Sequence, residues 1–303
     1  MTVDSAILGG MLSLLISGYR SDFLPLFVAT SVGLVLAHAS SNLFNDYWDS
    51  KHGIDSSLDY FRPAYLPHPS LSGMMSQRAL FLLALVHLVA ALIVGFSLTL
   101  VRGPGVLLFA GIGAALLLLY AGGPFSLKKI GLGEISVVLV WGPLMVGGTY
   151  YILNGTLPGA VILASLPYAL SVSTVLMGKH IDKLSQDKNL GVHTLPVIFG
   201  ESLSRSFVKV LIFSAYLLLV VLVAFRTLPI WSLVTLFTLP RARAVFRVLD
   251  SPKPSEPPRG YSMWPIWFLG YVFWQNRRFG MLYFGGLALA LVLSFAGISW
   301  AAL

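Results

Sequence analysis

Residues 78–101 read RALFLLALVHLVAALIVGFSLTLV. A helix that crosses a bilayer needs about 20 consecutive apolar residues, and this run supplies them behind a single flanking arginine. On either side of it, segments of the same character fall at roughly 5–19, 23–45, 104–121, 132–153, 158–178, 207–226, 228–246 and 280–300. With the quoted run they make nine, the first and eighth being the weakest spans. Gly142-Pro143 and Leu166-Pro167 interrupt two of them, which a bundle tolerates when neighbouring helices satisfy the freed backbone groups. Asp4 and no basic stretch stand before the first run, so it reads as a retained helix rather than a removed signal peptide.

Composition agrees. The chain of 303 residues is 56% apolar and 11% charged, with mean hydropathy +0.82, whereas soluble domains carry about 25% charged residues. A soluble enzyme, a disordered chain and a collagen-like repeat are excluded. The expected fold class is an all-α polytopic membrane protein, one domain over residues 1–303. Cysteine is absent, which removes disulfides, thiolate nucleophiles and Cys-based metal sites. The net charge of +8 and pI near 9.7 read as membrane orientation and anionic headgroups, not as nucleic-acid binding.

Charge then orients the chain. With nine spans, 17 of the 20 Lys and Arg residues fall in the loops after spans 2, 4, 6 and 8; only Arg20, Arg102 and Arg226 fall on the other face. The positive-inside rule predicts the N-terminus and the even-numbered loops in the cytoplasm and the C-terminus outside.

Six of the 12 acids lie in two short segments: Asp46, Asp49, Asp55 and Asp59 after span 2, and Asp182 and Asp187 after span 6. Carboxylates beside hydrocarbon are expensive and face a cavity, a partner or an ion. Asn42, Asp46 and Asp49 stand at i, i+4 and i+7, sharing one helix face. Such hard oxygen donors suit Mg²⁺ better than zinc. Asp182 and Asp187 are five apart, so a helix end or bulge between them is needed to aim both at one ion; Asp182 or Gln186 completes that second set. Asn45 reads as a turn residue, and His180 and His193 as helix-end or loop residues. Four spans separate the two clusters, which predicts two four-helix halves plus a ninth helix, with the clusters meeting across a central cavity.

Two carboxylate sets holding Mg²⁺ across a gap describe a clamp for a diphosphate. Arg62, Lys128, Lys129 and Lys179 are on the right side to take the remaining phosphate charge. A diphosphate head at a membrane surface with an apolar cavity behind it fits an isoprenyl diphosphate.

The pattern Asn42-x3-Asp46-x2-Asp49, with Asp187-x3-Gly191-x2-Thr194-Leu-Pro-Val, resembles the paired signatures of the UbiA superfamily of intramembrane prenyltransferases. The stretch Tyr120-Ala-Gly-Gly-Pro-Phe-Ser-Leu-Lys128-Lys-Ile-Gly-Leu-Gly-Glu134 is similar to its menaquinone-pathway branch, the dihydroxynaphthoate prenyltransferases. The resemblance implies nine helices around a central cavity, open laterally to lipid, and Mg²⁺-dependent transfer of a prenyl chain to an acceptor, often an aromatic ring. It implies Asn42, Asp46, Asp49, Asp182 and Asp187 as metal ligands, and Tyr120 and Lys128 beside the diphosphate or the reacting carbon. The family spaces its second pair of acids by four. Here Lys183 holds that place and Asp182 sits one earlier, so Lys183 is an alternative contact to the diphosphate. No obligate protein partner is implied. Two rivals are weighed against the aromatic acceptor: transfer to a glycerol-phosphate lipid precursor, and a cation-coupled transporter. A transporter places its ionisable groups near the bilayer midplane, whereas these acids cluster at helix ends on one face.

Overall fold

A computed structural model of the chain describes residues 1–54, 68–121 and 126–298. Helices α1 (Thr2–Ser17), α2 (Phe23–Lys51), α3 (Gln77–Arg102) and α4 (Gly105–Ala121) come first. A 3₁₀ turn at Leu127–Ile130 leads into α5 (Gly133–Leu139), which runs through a π turn at Val140–Leu144 into α6 (Met145–Asn154). Next come α7 (Gly159–Asp182) and the short α8 (Leu184–Asn189) and α9 (Leu195–Phe199). The chain continues with α10 (Glu201–Ala224), a 3₁₀ segment at Ile230–Thr238, α11 (Leu239–Leu249) and α12 (Phe268–Phe295). No strand occurs among the described residues.

Six of these helices are long and apolar enough to cross a membrane: α2, α3, the continuous α5–α6, α7, α10 and α12. The apolar α1 and α4 are shorter. The eighth predicted span is not one α-helix, since its first half winds as 3₁₀ before α11 begins. The ninth starts at Phe268, 12 residues before the expected 280.

The outward face of α3 carries Val86, Ile93, Phe96 and Leu100, each more than 60% exposed. An apolar stripe of this size is a lipid-facing surface. By contrast α7 is buried: Val161, Tyr168, Val172, Met177 and Ile181 join the main core with residues of α1, α6, α10 and α12. Glycine permits close approach at Gly178, where an added Cβ would meet Val272 at 2.6 Å and the backbone of Leu269 at 3.0 Å. At Gly111 and Gly113, by contrast, nothing lies within 4 Å of that position.

Pro143 has no N–H to donate and its ring crowds the carbonyl four residues back. The π turn around it relieves that clash, and Ser5 Oγ donates to the Trp141 carbonyl at 2.9 Å. The extra residue sets the face that α6 presents, with Gly148, Thr149 and Ile152 toward a cavity among α2, α3, α4, α6 and α7.

Candidate active site

That cavity holds about 400 Å³. Its wall on α2 runs from Thr30 to Asn45, about 22 Å of helix at 1.5 Å per residue. The deep part is apolar, lined by Leu98, Val106, Phe109 and Ile152; Asn42, Asn45, Tyr120 and Lys179 stand at the other end.

At this polar end α2 runs past the apolar layer by two turns, carrying Asp46 and Asp49, both buried. Lys128, on the 3₁₀ turn after α4, reaches across to Asp49, its ammonium 2.8 and 2.6 Å from the two carboxylate oxygens. It also donates to Asn45 Oδ1 at 3.2 Å, and Asn45 Nδ2 donates to Asp49 Oδ2 at 2.9 Å. Asn45 therefore belongs to the site; its i,i+4 spacing to Asp49 was the sequence signal for it. Asn42 lines the cavity with Nδ2 3.4 Å from His38 Nε2. The Asp46 carbonyl accepts hydrogen bonds from Ser50 Oγ and His68.

The second cluster enters from the end of α7. Asp187 on α8 is buried and accepts from Thr194 Oγ1 at 3.4 Å. The His193 N–H donates to the Lys129 carbonyl at 3.2 Å, tying this loop to the turn that carries Lys128. Lys128, Lys179 and Lys183 exert their charge on both Asp49 and Asp187. The charges of Glu134, Asp49 and Asp187 act on Tyr120. The two acid clusters thus share one set of cations and one tyrosine. Burial pushes the Asp187 carboxyl above the usual carboxylate range, against the opposing pull of His180, Lys183, Lys128 and Lys179.

Asp182 has a task other than the expected metal ligation. Its oxygens accept the backbone N–H groups of Trp267, Phe268 and Leu269 at 3.0, 3.1 and 3.0 Å. Lys253 Nζ lies 3.5 Å from the same carboxylate. It caps the N-terminus of α12, where the helix dipole favours an anion. Gln186 is the remaining candidate, its Oε1 buried and without a hydrogen-bond partner among the described residues. Asp55, Asp59 and Arg62 lie outside the described residues.

One pair escaped the sequence reading. His180 is buried, its Nδ1 2.7 Å from Glu134 Oε1, while Glu134 Oε2 has no partner among the described residues. The two are 46 residues apart, and no local spacing announces them.

Residues 6–267 match the UbiA prenyltransferase family. "UbiA prenyltransferase domain-containing protein 1" of Xenopus tropicalis is 28% identical over 229 residues, 74% of this chain and 65% of that protein. The chain thus spans about two thirds of that relative's length. "1,4-dihydroxy-2-naphthoate octaprenyltransferase" of Escherichia coli K12 is 27% identical over 243 residues, 77% of each. Among solved structures, a UbiA homologue from Aeropyrum pernix aligns over 97% of this chain and 98% of its own (TM-score 0.68, 15% identity). One from Archaeoglobus fulgidus, bound to GPP and Mg²⁺, aligns over 95% of both (0.64, 15%). A digeranylgeranylglyceryl phosphate synthase aligns over 94% and 93% (0.59, 19%).

Proposed function

The chain belongs to the UbiA prenyltransferase family, and from that premise we propose that it transfers an isoprenyl chain from a prenyl diphosphate to an aromatic, quinone-precursor acceptor. One observation carries the reading: Lys128 ion-pairs with Asp49 and bonds to Asn45, which lines a long apolar cavity together with Lys179, and the charges of Lys128, Lys179 and Lys183 act on both Asp49 and the distant Asp187. The diphosphate sits among the lysines and the prenyl chain lies in the cavity, past Gly113 and Gly148 toward Ile152.

Mg²⁺ fits this donor set. Among the described residues no three His, Asp or Glu side chains group closely enough to hold an ion. Mg²⁺ is bound by one or two carboxylates together with substrate phosphates rather than by an all-protein cage. One or two of the carboxylates of Asp46, Asp49 and Asp187, with Asn42, would hold it together with the diphosphate oxygens, and the orphaned oxygen of Gln186 lies near Asp187 in sequence. When bound it neutralises charge on the departing diphosphate. The A. fulgidus homologue binds GPP with Mg²⁺, which supports the reading.

The chain's own residues do the rest. Lys128, Lys179 and Lys183 stabilise the leaving diphosphate as the C1–O bond lengthens. The Tyr120 ring stabilises positive charge at C1, and the apolar wall keeps water from the allylic carbon. The aromatic acceptor rests on the similarity to the E. coli enzyme and on the Tyr120–Glu134 stretch. Nine membrane crossings, a cytoplasmic N-terminus and site, and an outside C-terminus complete the proposal on the strength of the arginine and lysine distribution.

The test is product analysis with purified protein, Mg²⁺ and labelled geranyl, farnesyl and geranylgeranyl diphosphates, offered with dihydroxynaphthoate, hydroxybenzoate or a prenylated glycerol phosphate, with and without chelator. Chelator-sensitive prenylation of an aromatic ring is the expected result. Prenylation of the glycerol phosphate alone replaces the acceptor, and failure of every diphosphate to bind or turn over overturns the proposal in favour of the transporter.

A further inference from the structure

Some basic side chains of this fold have acidic partners. Arg205 pairs with Glu201, Lys209 with Asp250, Arg102 with Asp22 and Lys253 with Asp182. None of the five arginines on α11 and α12 has one among the described residues, Arg243 and Arg247 included; of the other three, Arg241 and Arg277 carry the aromatic contacts of this surface. Arg241, Arg277 and Arg278 have no carboxylate within ion-pair distance among the described residues, and the sole hydrogen bond made there by the three guanidinium groups runs from Arg278 to Met281 Sδ at 3.4 Å.

The apolar sequence next to them fixes their depth. From Phe279 to the end of α12 at Phe295 no residue is charged. That is about 25 Å of helix at 1.5 Å per residue, close to the ~30 Å hydrocarbon core of a bilayer. On the neighbouring segment of the bundle, residues 228–240 carry no charge and Arg241 is the first cation after them. Arg241 and Arg278 therefore stand together where hydrocarbon gives way to headgroups, on the side of the acidic site.

Their local geometry is built. The Arg241 guanidinium stacks over the Trp274 ring, its Cζ 4.1 Å from the centroid. Trp274 and Arg278 are one turn apart on the same helix face, and the charges of Arg241 and Arg278 act on each other. Trp274 is 41% exposed although it is a large ring, as expected of an interfacial anchor. One turn deeper on each helix lie the exposed Phe237 and Met281. Two like charges held beside each other without a counter-ion call for an anion, and guanidinium groups suit phosphate oxygens.

We propose that Arg241, Arg278 and Trp274 form a seat for the phosphate of an anionic phospholipid in the leaflet on the side of the acidic site, with its acyl chains against Phe237 and Met281. This seat lies on the outer surface of α11 and α12 and stands whether or not the chain transfers a prenyl group.

The test counts lipids retained by the purified full-length protein in a neutral detergent, using native mass spectrometry with phosphatidylglycerol or phosphatidylcholine added. Wild type should retain phosphatidylglycerol preferentially. R241Q/R278Q should lose at least tenfold of that preference, while R243Q/R247Q, with the same change in net charge on exposed positions of α11, should keep it. Equal loss in both doubles means diffuse attraction to basic charge and overturns the proposal, as does no loss in R241Q/R278Q. Displacement of the lipid by millimolar inorganic phosphate would assign the seat to a soluble anion and overturn it too. Should R241Q/R278Q fail to fold, W274L keeps both charges and decides the matter: a lowered preference upholds the seat, and an unchanged one rejects it.

Discussion

Lys128 and Asp49 are 79 residues apart in the chain, yet the ammonium of one lies 2.6 Å from the carboxylate of the other, with both side chains nearly out of water. The pair fastens the turn after α4 to the end of α2, so the rim of the cavity and its charge are set by one contact. Breaking a buried pair from one side leaves an uncompensated charge and costs about 3–5 kcal/mol. K128M should lower stability by an amount of that order, and D49N/K128M should recover part of it. Thermal unfolding of the four proteins in detergent closes the cycle; additive losses would show the contact to be without energetic weight.

Asp182 and Asp187 should separate cleanly. D182N weakens the cap on α12, and a charge at a helix N-terminus contributes up to about 2 kcal/mol in a partly buried setting. Its unfolding temperature should fall while the dependence of turnover on Mg²⁺ concentration stays put. D187N should remain folded and lose turnover. Unfolding curves and metal titrations on the two variants check both statements.

The outline of the fold was legible because lipid-facing helices announce themselves as unbroken apolar runs. The misplaced start of α12 has a specific cause. Gln275 and Asn276 look like loop residues beside Arg277 and Arg278, but both are buried, Gln275 donating to Tyr216 and Asn276 to Ser171. Hydropathy counts such groups as polar because it cannot see their partners. In the site, helical spacing brought out Asp46 and Asp49, and Asp187 stood out as an acid beside hydrocarbon. The role of Asp182 depends on backbone N–H groups 85 to 87 residues away, and the Glu134–His180 pair on a contact between α5 and α7; neither leaves a local trace.

Tyr120 offers a test of ring against hydroxyl. If its ring face stabilises the reacting carbon, Y120F should keep most of the turnover. Y120L should lose up to about 30-fold, the rate equivalent of a desolvated cation–π contact of about 2 kcal/mol. Single-turnover rates with one prenyl diphosphate distinguish the two; equal losses would assign the role to the hydroxyl.

Cavity depth should govern chain length. Gly113 lines the cavity and has open space where a side chain would start. G113F should therefore exclude the longest prenyl diphosphates while leaving geranyl diphosphate in use. Competition among chain lengths in a single reaction reads this directly, and an unchanged preference would place the chain elsewhere.

The π turn at Val140–Leu144 has a consequence for how relatives of this chain should be compared. A π turn takes up one residue more than an α turn, so one residue removed there would restore a plain α-helix and leave Gly148 and Thr149 on the cavity. Removed from the regular helix on either side, it would swing everything beyond it by about 100°, while the hydropathy profile stayed almost unchanged in both cases. A single-residue gap at the π turn is thus a neutral length difference, whereas the same gap a turn away is a change of binding surface. Alignments that slide gaps freely through apolar sequence would hide it.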